Sequence, residues 1–141
     1  MNFTNLHLLL RSAKEFGHSQ IKLLGVSDTE HLICTFLFGH SNVSQDDVAA
    51  SLRLDKTTVA RALLSLEKKG YVRREVNSDN RRKNLLSITP LGKENIADVV
   101  GVYDEWLCKI SSCLSDEEQA QFDEYCARLL AASEDLQKEG R

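Results

Sequence analysis

The stretch VSQDDVAASLRLDKTTVARALLSLEKKG (43–70), continued by YVRREVNSDNRRKNLLSIT (71–89) and PLG (90–92), decides how this chain folds. Ser44 followed by Asp47 signals a helix start, a hydroxyl for an unpaired N–H and a carboxylate that reaches back. The short helix it opens is expected to end near Leu52. Asp55 caps a second helix that is expected to run to Lys69, with Gly70 as its stop. Along it Val59, Ala62, Leu63 and Leu66 share one face, while Lys56, Thr57, Thr58, Arg61, Ser65 and Lys68 lie mainly away from it. Residues 71–76 are β-branched and aromatic enough for a strand, Asn77-Ser78-Asp79-Asn80 is turn chemistry, and 85–88 reads as the returning strand. Thr89 then caps another helix, with Pro90 where its missing N–H costs nothing.

That order of parts reads as a binder of double-stranded DNA. In a helix-turn-helix the second helix lies in a major groove about 12 Å wide. Lys56, Thr57, Thr58 and Arg61 would stand nearest the base edges, with Ser65 farther along. Arg61 suits guanine O6 and N7, and Thr58 offers a hydroxyl or a methyl. Lys56 and Lys68 suit phosphates, and so does the helix start at Ser44 and Gln45. At the hairpin tip, Asp79-Asn80-Arg81-Arg82-Lys83 sets an acid two residues before an arginine. Asp79 would hold Arg81 straight, and Arg81, Arg82 and Lys83 would reach a neighbouring minor groove, where the potential is most negative.

Charge supports this against the net value of −3. Residues 53–83 hold ten Lys and Arg against four Asp and Glu, a net +6, whereas residues 91–141 hold five against twelve, a net −7. One region attracts phosphate and the rest repels it. One proline and seven glycines in 141 residues point to a mostly helical chain with short loops. No apolar run approaches the roughly 20 residues of a membrane span, no cleavable signal is visible, and no two of the four cysteines are spaced C-x-x-C. A cytoplasmic protein with reduced thiols and no membrane partner is expected.

Outside this unit, Leu6, Leu9, Ala13 and Phe16 mark a first helix over residues 4–24, and Ser27 with Glu30 is a capping box for a second, from about Asp28 to Phe38. The helix after Thr89 carries Ile96, Val99, Tyr103, Trp106, Ile110 and Cys113 on one stripe, and a last helix, capped by Ser115 and Glu118, carries Phe122, Tyr125, Leu129, Ala132 and Leu136. So short a chain buries such stripes only partly, so a homodimer through the terminal helices is expected. The fold class is mainly α (α+β), a winged helix-turn-helix over 28–89, with an N-terminal helix (1–27) and C-terminal helices (90–141) for dimerisation.

The chain resembles the MarR family of bacterial regulators. The resemblance covers nearly the whole chain in element order and is most specific over residues 44–92. It rests on VSQDDVAASLRLDKTTVARALLSLEKKGYVRR, on the D-x-R of Asp79 and Arg81, and on Ile88-Thr89-Pro90-Leu91-Gly92. It implies a homodimer whose fourth helix reads the major groove and whose Arg81 enters the minor groove at near-palindromic promoter sites. It also implies a repressor released by a small aromatic acid, a metal or an oxidant. Two positions depart from the family. Arg53 stands where glycine is common, so the turn is expected to loosen and Arg53 to add a phosphate contact. His31 stands where relatives carry a large aromatic residue, near the usual pocket.

Family geometry places Arg11, His31 and Trp106 as a pocket for a small aromatic carboxylate. Cys108 points away from its helix's stripe and is the expected exposed thiol, the candidate for redox chemistry, with Cys113 and Cys126 in the core. His7, His18, His31 and His40 are scattered, so no metal site is expected, and no cofactor. Ser65-x-x-Lys68 matches a serine–lysine spacing but falls on the reading helix, and no phosphate loop, H-E-x-x-H or G-x-S-x-G is present, so no enzyme is expected. The competing readings are a winged-helix antagonist that binds another regulator, against which the basic 53–83 stretch speaks, and a sequence-tolerant DNA-coating protein.

Overall fold

The computed structural model describes residues 2–80 and 83–140. The chain forms two compact units, Met1–Asp104 and Glu105–Arg141. In the first, helices begin where a side chain can serve the unpaired N–H groups of a first turn. α1 (Phe3–Leu23) starts at Asn2 and α2 (Asp28–Gly39) at Ser27, whose Oγ accepts the Glu30 N–H at 3.1 Å. Only this half of the expected capping box forms. The Glu30 carboxylate takes Lys69 Nζ at 2.5 Å instead, with the two side chains 11% and 32% exposed. A carboxylate so nearly buried gains more from an ammonium than from one backbone N–H.

α3 (Gln45–Leu52) has the complete box: Ser44 N–H donates to Asp47 Oδ2 at 2.9 Å and Asp47 N–H to Ser44 Oγ at 3.1 Å. α4 (Lys56–Lys68) starts at Asp55. The turn between them is tight, contrary to expectation. Arg53 takes the left-handed conformation (φ 52°, ψ 43°), and the N–H groups of Arg53 and Leu54 close back on Ala50 and Ala49 at 3.3 and 3.0 Å. These two bonds hold an arginine where the backbone favours glycine.

Three strands, β1 (Val43–Ser44), β2 (Val72–Val76) and β3 (Asn84–Ile88), form an antiparallel sheet in the order β1-β3-β2. Val72 faces Ile88 and Val76 faces Asn84 across the hairpin, and Val43 faces Leu86 on the other edge. β1 carries no signal in the sequence, because two residues have no period. The core joins Ile33, Cys34 and Leu37 of α2, Val48 of α3, Val59, Leu63 and Leu66 of α4, Leu86 of β3 and Ile96, all at most 2% exposed. Burial pushes the Cys34 thiol up to about 12.

After Thr89 the expected single helix is broken. α5 (Pro90–Ile96) ends before a turn over 97–101, and α6 (Val102–Ile110) follows. The Val99 N–H bonds Ile96 O at 3.0 Å, the Val102 N–H bonds Val99 O at 3.2 Å, and His31 Nε2 lies 2.7 Å from that same Val99 oxygen. The carbonyl that an unbroken helix would give to Tyr103 N–H is thus shared between Val102 and the imidazole. Val99, Val100 and Gly101 are poor helix formers, so little resists the break. Ile96, Val99 and Val102 are buried in place of the expected continuous stripe.

The second unit holds the rest of α6, a short 3-10 turn (Ser111–Cys113) and α7 (Asp116–Glu139). Ser115 and Glu118 form the expected capping box. No residue of α7 is buried: Phe122, Tyr125, Leu129 and Leu136 are 40%, 51%, 51% and 70% exposed. Cys113 and Cys126, expected in a core, are therefore exposed, as Cys108 is. Among the described residues no helix is long and apolar enough to cross a membrane.

Candidate nucleic-acid interface

One face of α4 is fixed by the core, and that fixes the other. Val59, Ala62, Leu63 and Leu66 are buried, while Lys56, Thr57, Arg61, Leu64 and Lys68 are exposed. Thr58 and Ser65 are half-buried on the flank. There they line, with Ser27, Thr29, Glu30 and Arg61, a groove of about 300 Å³ between the start of α2 and α4. Thr58 is also committed to the helix start. Its N–H donates to Asp55 Oδ1 at 2.8 Å and its hydroxyl to Oδ2 at 2.5 Å. These bonds hold the Asp55 carboxyl below its ordinary value. The Thr58 hydroxyl proton is therefore already committed to Asp55.

The basic residues divide by what they already hold. Lys69 pairs with Glu30, and Arg74 Nε reaches Glu67 Oε1 at 2.8 Å, so both fasten the unit together. Arg73 pairs with Glu75 at 3.3 Å, and Lys56 stands 3.7 Å from Asp46 with its side chain 80% exposed. Among the described residues no acid pairs with Arg61 or Lys68. Arg53 is exposed at the α3–α4 turn. At the start of α3, Ser44 is 8% exposed with its N–H and hydroxyl oxygen engaged by Asp47, and Gln45 is half-buried. The Ser44 hydrogen bonds, and then Lys83, hold the Asp47 carboxyl below its ordinary value, so the base of the wing shares a field with the start of α3.

At the wing, Asp79 and Lys83 are exposed, the Asp79 N–H donates to Asn77 Oδ1 at 2.9 Å, and the Lys83 N–H donates to Asn80 O at 3.0 Å. Arg81 and Arg82, and with them the expected pairing of Asp79 with Arg81, lie outside the described residues.

The stretch Ile88-Thr89-Pro90-Leu91-Gly92 sets the angle at which the wing leaves the helices. The Thr89 N–H donates to Tyr71 O at 2.9 Å, its hydroxyl donates to Gly70 O at 2.5 Å, and its Oγ1 accepts the Gly92 N–H at 3.0 Å. A Cβ on Gly92 would strike the Tyr71 carbonyl oxygen and come within 2.8 Å of Ile88 Cγ1. The end of α4 and the start of α5 are thereby joined at the foot of both wing strands.

The residues expected to hold an effector sit as follows. Arg11 is exposed and pairs with Glu15 at 2.9 Å. His31 is 2% exposed, on the Val99 carbonyl, with the Tyr103 ring edge-on at a centroid distance of 6.0 Å. Trp106 belongs to the second unit and is half-buried. Among the described residues no group of His, Cys, Asp and Glu is arranged to hold a metal ion.

Residues 26–83, from the entry to α2 through the wing, match the MarR family. The transcriptional repressor MprA of Escherichia coli is 23% identical over 128 residues, covering 89% of this chain and 73% of that protein. The crystal structure of MarR superposes with a TM-score of 0.78 at 27% identity, covering 99% of this chain and 95% of that one. The Staphylococcus aureus MepR–DNA complex superposes at 0.83 and 21% identity, covering 94% and 98%.

Proposed function

We propose that this chain, whose residues 26–83 match the MarR family, is a transcriptional regulator of that family and represses transcription in the cytoplasm as a homodimer on a near-palindromic promoter site. The observation that carries the DNA half is α4. Its buried face fixes its orientation, and its outward face presents Arg61 and Lys68 with no acidic partner among the described residues. Arg61 reads a base. Lys56, Lys68, Arg53 and the first turn of α3 at Gln45 meet phosphates, which position the protein without reading sequence. Arg81, Arg82 and Lys83 enter the adjoining minor groove. That the MepR structure was determined with DNA supports the same use of this fold.

The dimer half rests on exposed apolar surface. Phe3, Leu6, Leu8 and Leu10 of α1 are 45–78% exposed, and α7 shows its apolar stripe to solvent along its length. A second copy of the chain is the cover that doubles each stripe against itself.

The testing experiment is a fluorescence-anisotropy titration of the protein against its own upstream intergenic DNA, beside a scrambled duplex, at two salt concentrations. Much tighter binding to its own promoter is expected. Equal, salt-dependent binding to both duplexes would replace specific regulation with a coating role, and no binding to either would favour the protein-interaction reading. Response to a small aromatic acid completes the proposal: Arg11 would exchange Glu15 for the ligand's carboxylate. Salicylate titrated into the protein–DNA complex should lower the anisotropy, and an unchanged signal at saturating salicylate sinks that part.

A further inference from the structure

The outward pole of α4 carries one residue that does not match its neighbours. At about 100° per residue from the centre of the buried face, Thr57, Arg61, Leu64 and Lys68 all fall within about 30° of the opposite pole. Leu64 is 57% exposed there. A single exposed leucine is ordinary on a protein surface, so its meaning comes from its place. It lies three residues after Arg61 and four before Lys68, where side chains on one helix face are neighbours. Both neighbours are cations without acidic partners among the described residues. It also stands on the flank away from the groove that Thr58 and Ser65 line.

A helix face that enters a major groove meets hydrogen-bonding base edges almost everywhere. An isobutyl group there desolvates those edges and returns no bond, which is a loss. One base edge reverses the sign, because thymine alone presents a methyl group, at C5. Packing aliphatic carbon on that methyl removes apolar surface from water on both sides. We infer that Leu64 is a specificity-determining residue that selects thymine by its C5 methyl, at a position beside the base that Arg61 addresses. This rests on the reading of α4 as the major-groove helix.

The probe is the tightest duplex recovered when the full chain is selected against a library with a random core. Each thymine in it is replaced singly by deoxyuridine, which removes the methyl and leaves every hydrogen-bonding group. The wild-type chain should bind one such duplex per half-site roughly fourfold more weakly, the factor for about one apolar carbon returned to water. Leu64→Ala should bind the parent duplex more weakly by a similar factor and be indifferent to that one replacement. Leu64→Met, which keeps aliphatic reach, should retain the sensitivity. The position is exposed and helical, so both variants should keep the wild-type melting temperature. A wild type indifferent to every deoxyuridine overturns the inference. So does a Leu64→Ala variant that keeps the full wild-type sensitivity. Failure of the library to yield any preferred duplex is a different result: it refutes sequence-specific reading by α4, and the role of Leu64 falls with it.

Discussion

Arg53 shows what one residue can cost and supply. An L-residue in the left-handed region is disfavoured by roughly 1–2 kcal/mol, yet the chain places an arginine there, exposed at the turn into α4. Arg53→Gly should raise stability by about 0.5–1 kcal/mol, after the extra entropy of an unfolded glycine is subtracted, as urea melts would show. The same variant should bind all duplexes more weakly, with a salt slope reduced by about one unit, if Arg53 meets a phosphate. A stabilised variant with an unchanged slope would remove Arg53 from the interface. Arg61 calls for the contrasting test: Arg61→Ala should cost about 1–3 kcal/mol on the right site and relax base preference at one position. Equal losses on specific and random DNA would make it a phosphate contact. Both arginines were legible in the sequence as basic residues, Arg61 on the expected reading helix and Arg53 at the turn before it. The left-handed turn was not, because nothing in an arginine announces positive φ. The commitment of the Thr58 hydroxyl to Asp55 was hidden for a similar reason, since a threonine three residues after an aspartate suits a cap and a base contact equally.

At the scale of elements, the wing depends on a foot built from four residues. Thr89 bonds Gly70 and Tyr71 while it starts α5, and Gly92 lets the two backbones meet. Gly92→Ala should destabilise the protein by roughly 1–3 kcal/mol, since the atom in the way is a carbonyl oxygen that cannot swing aside. Thermal melts would check this, and an unchanged melting temperature would mean the foot gives. Arg81→Ala should weaken binding to every duplex alike and flatten the salt dependence, because a charge contact without base readout is removed. A slope equal to that of wild type would take Arg81 out of the groove. The hairpin and α1 to α4 were readable to within a residue or two, because caps and periods agree there. The break over 97–101 was not: the three-four spacing of Ile96, Val99, Tyr103 and Trp106 runs straight through it. What interrupts the helix is a histidine from α2, a contact across 68 residues of sequence.

For the whole molecule, charge and apolar surface give two separate instructions. The +6 of residues 53–83 and the −7 of residues 91–141 draw one region toward DNA and keep the other away from it. The stripe on α7 was plain in the sequence, but which surface covers it was not, since a period names the face of a helix and not its neighbour. If a second copy covers it, Leu129→Glu should convert dimers to monomers in sedimentation equilibrium and lower DNA affinity, because one half-site would remain for each protein. A variant that sediments as wild type would move the interface elsewhere. Ser44 adds a last consequence, through its two occupations at once. It is paired with Leu85 in the sheet, and it caps α3 through Asp47. Fraying of that edge of the sheet should loosen the first turn of α3 with it, so the amide protons of the β1–β3 edge and of that turn should trade with heavy water on one clock, and DNA that stills either one should quiet both.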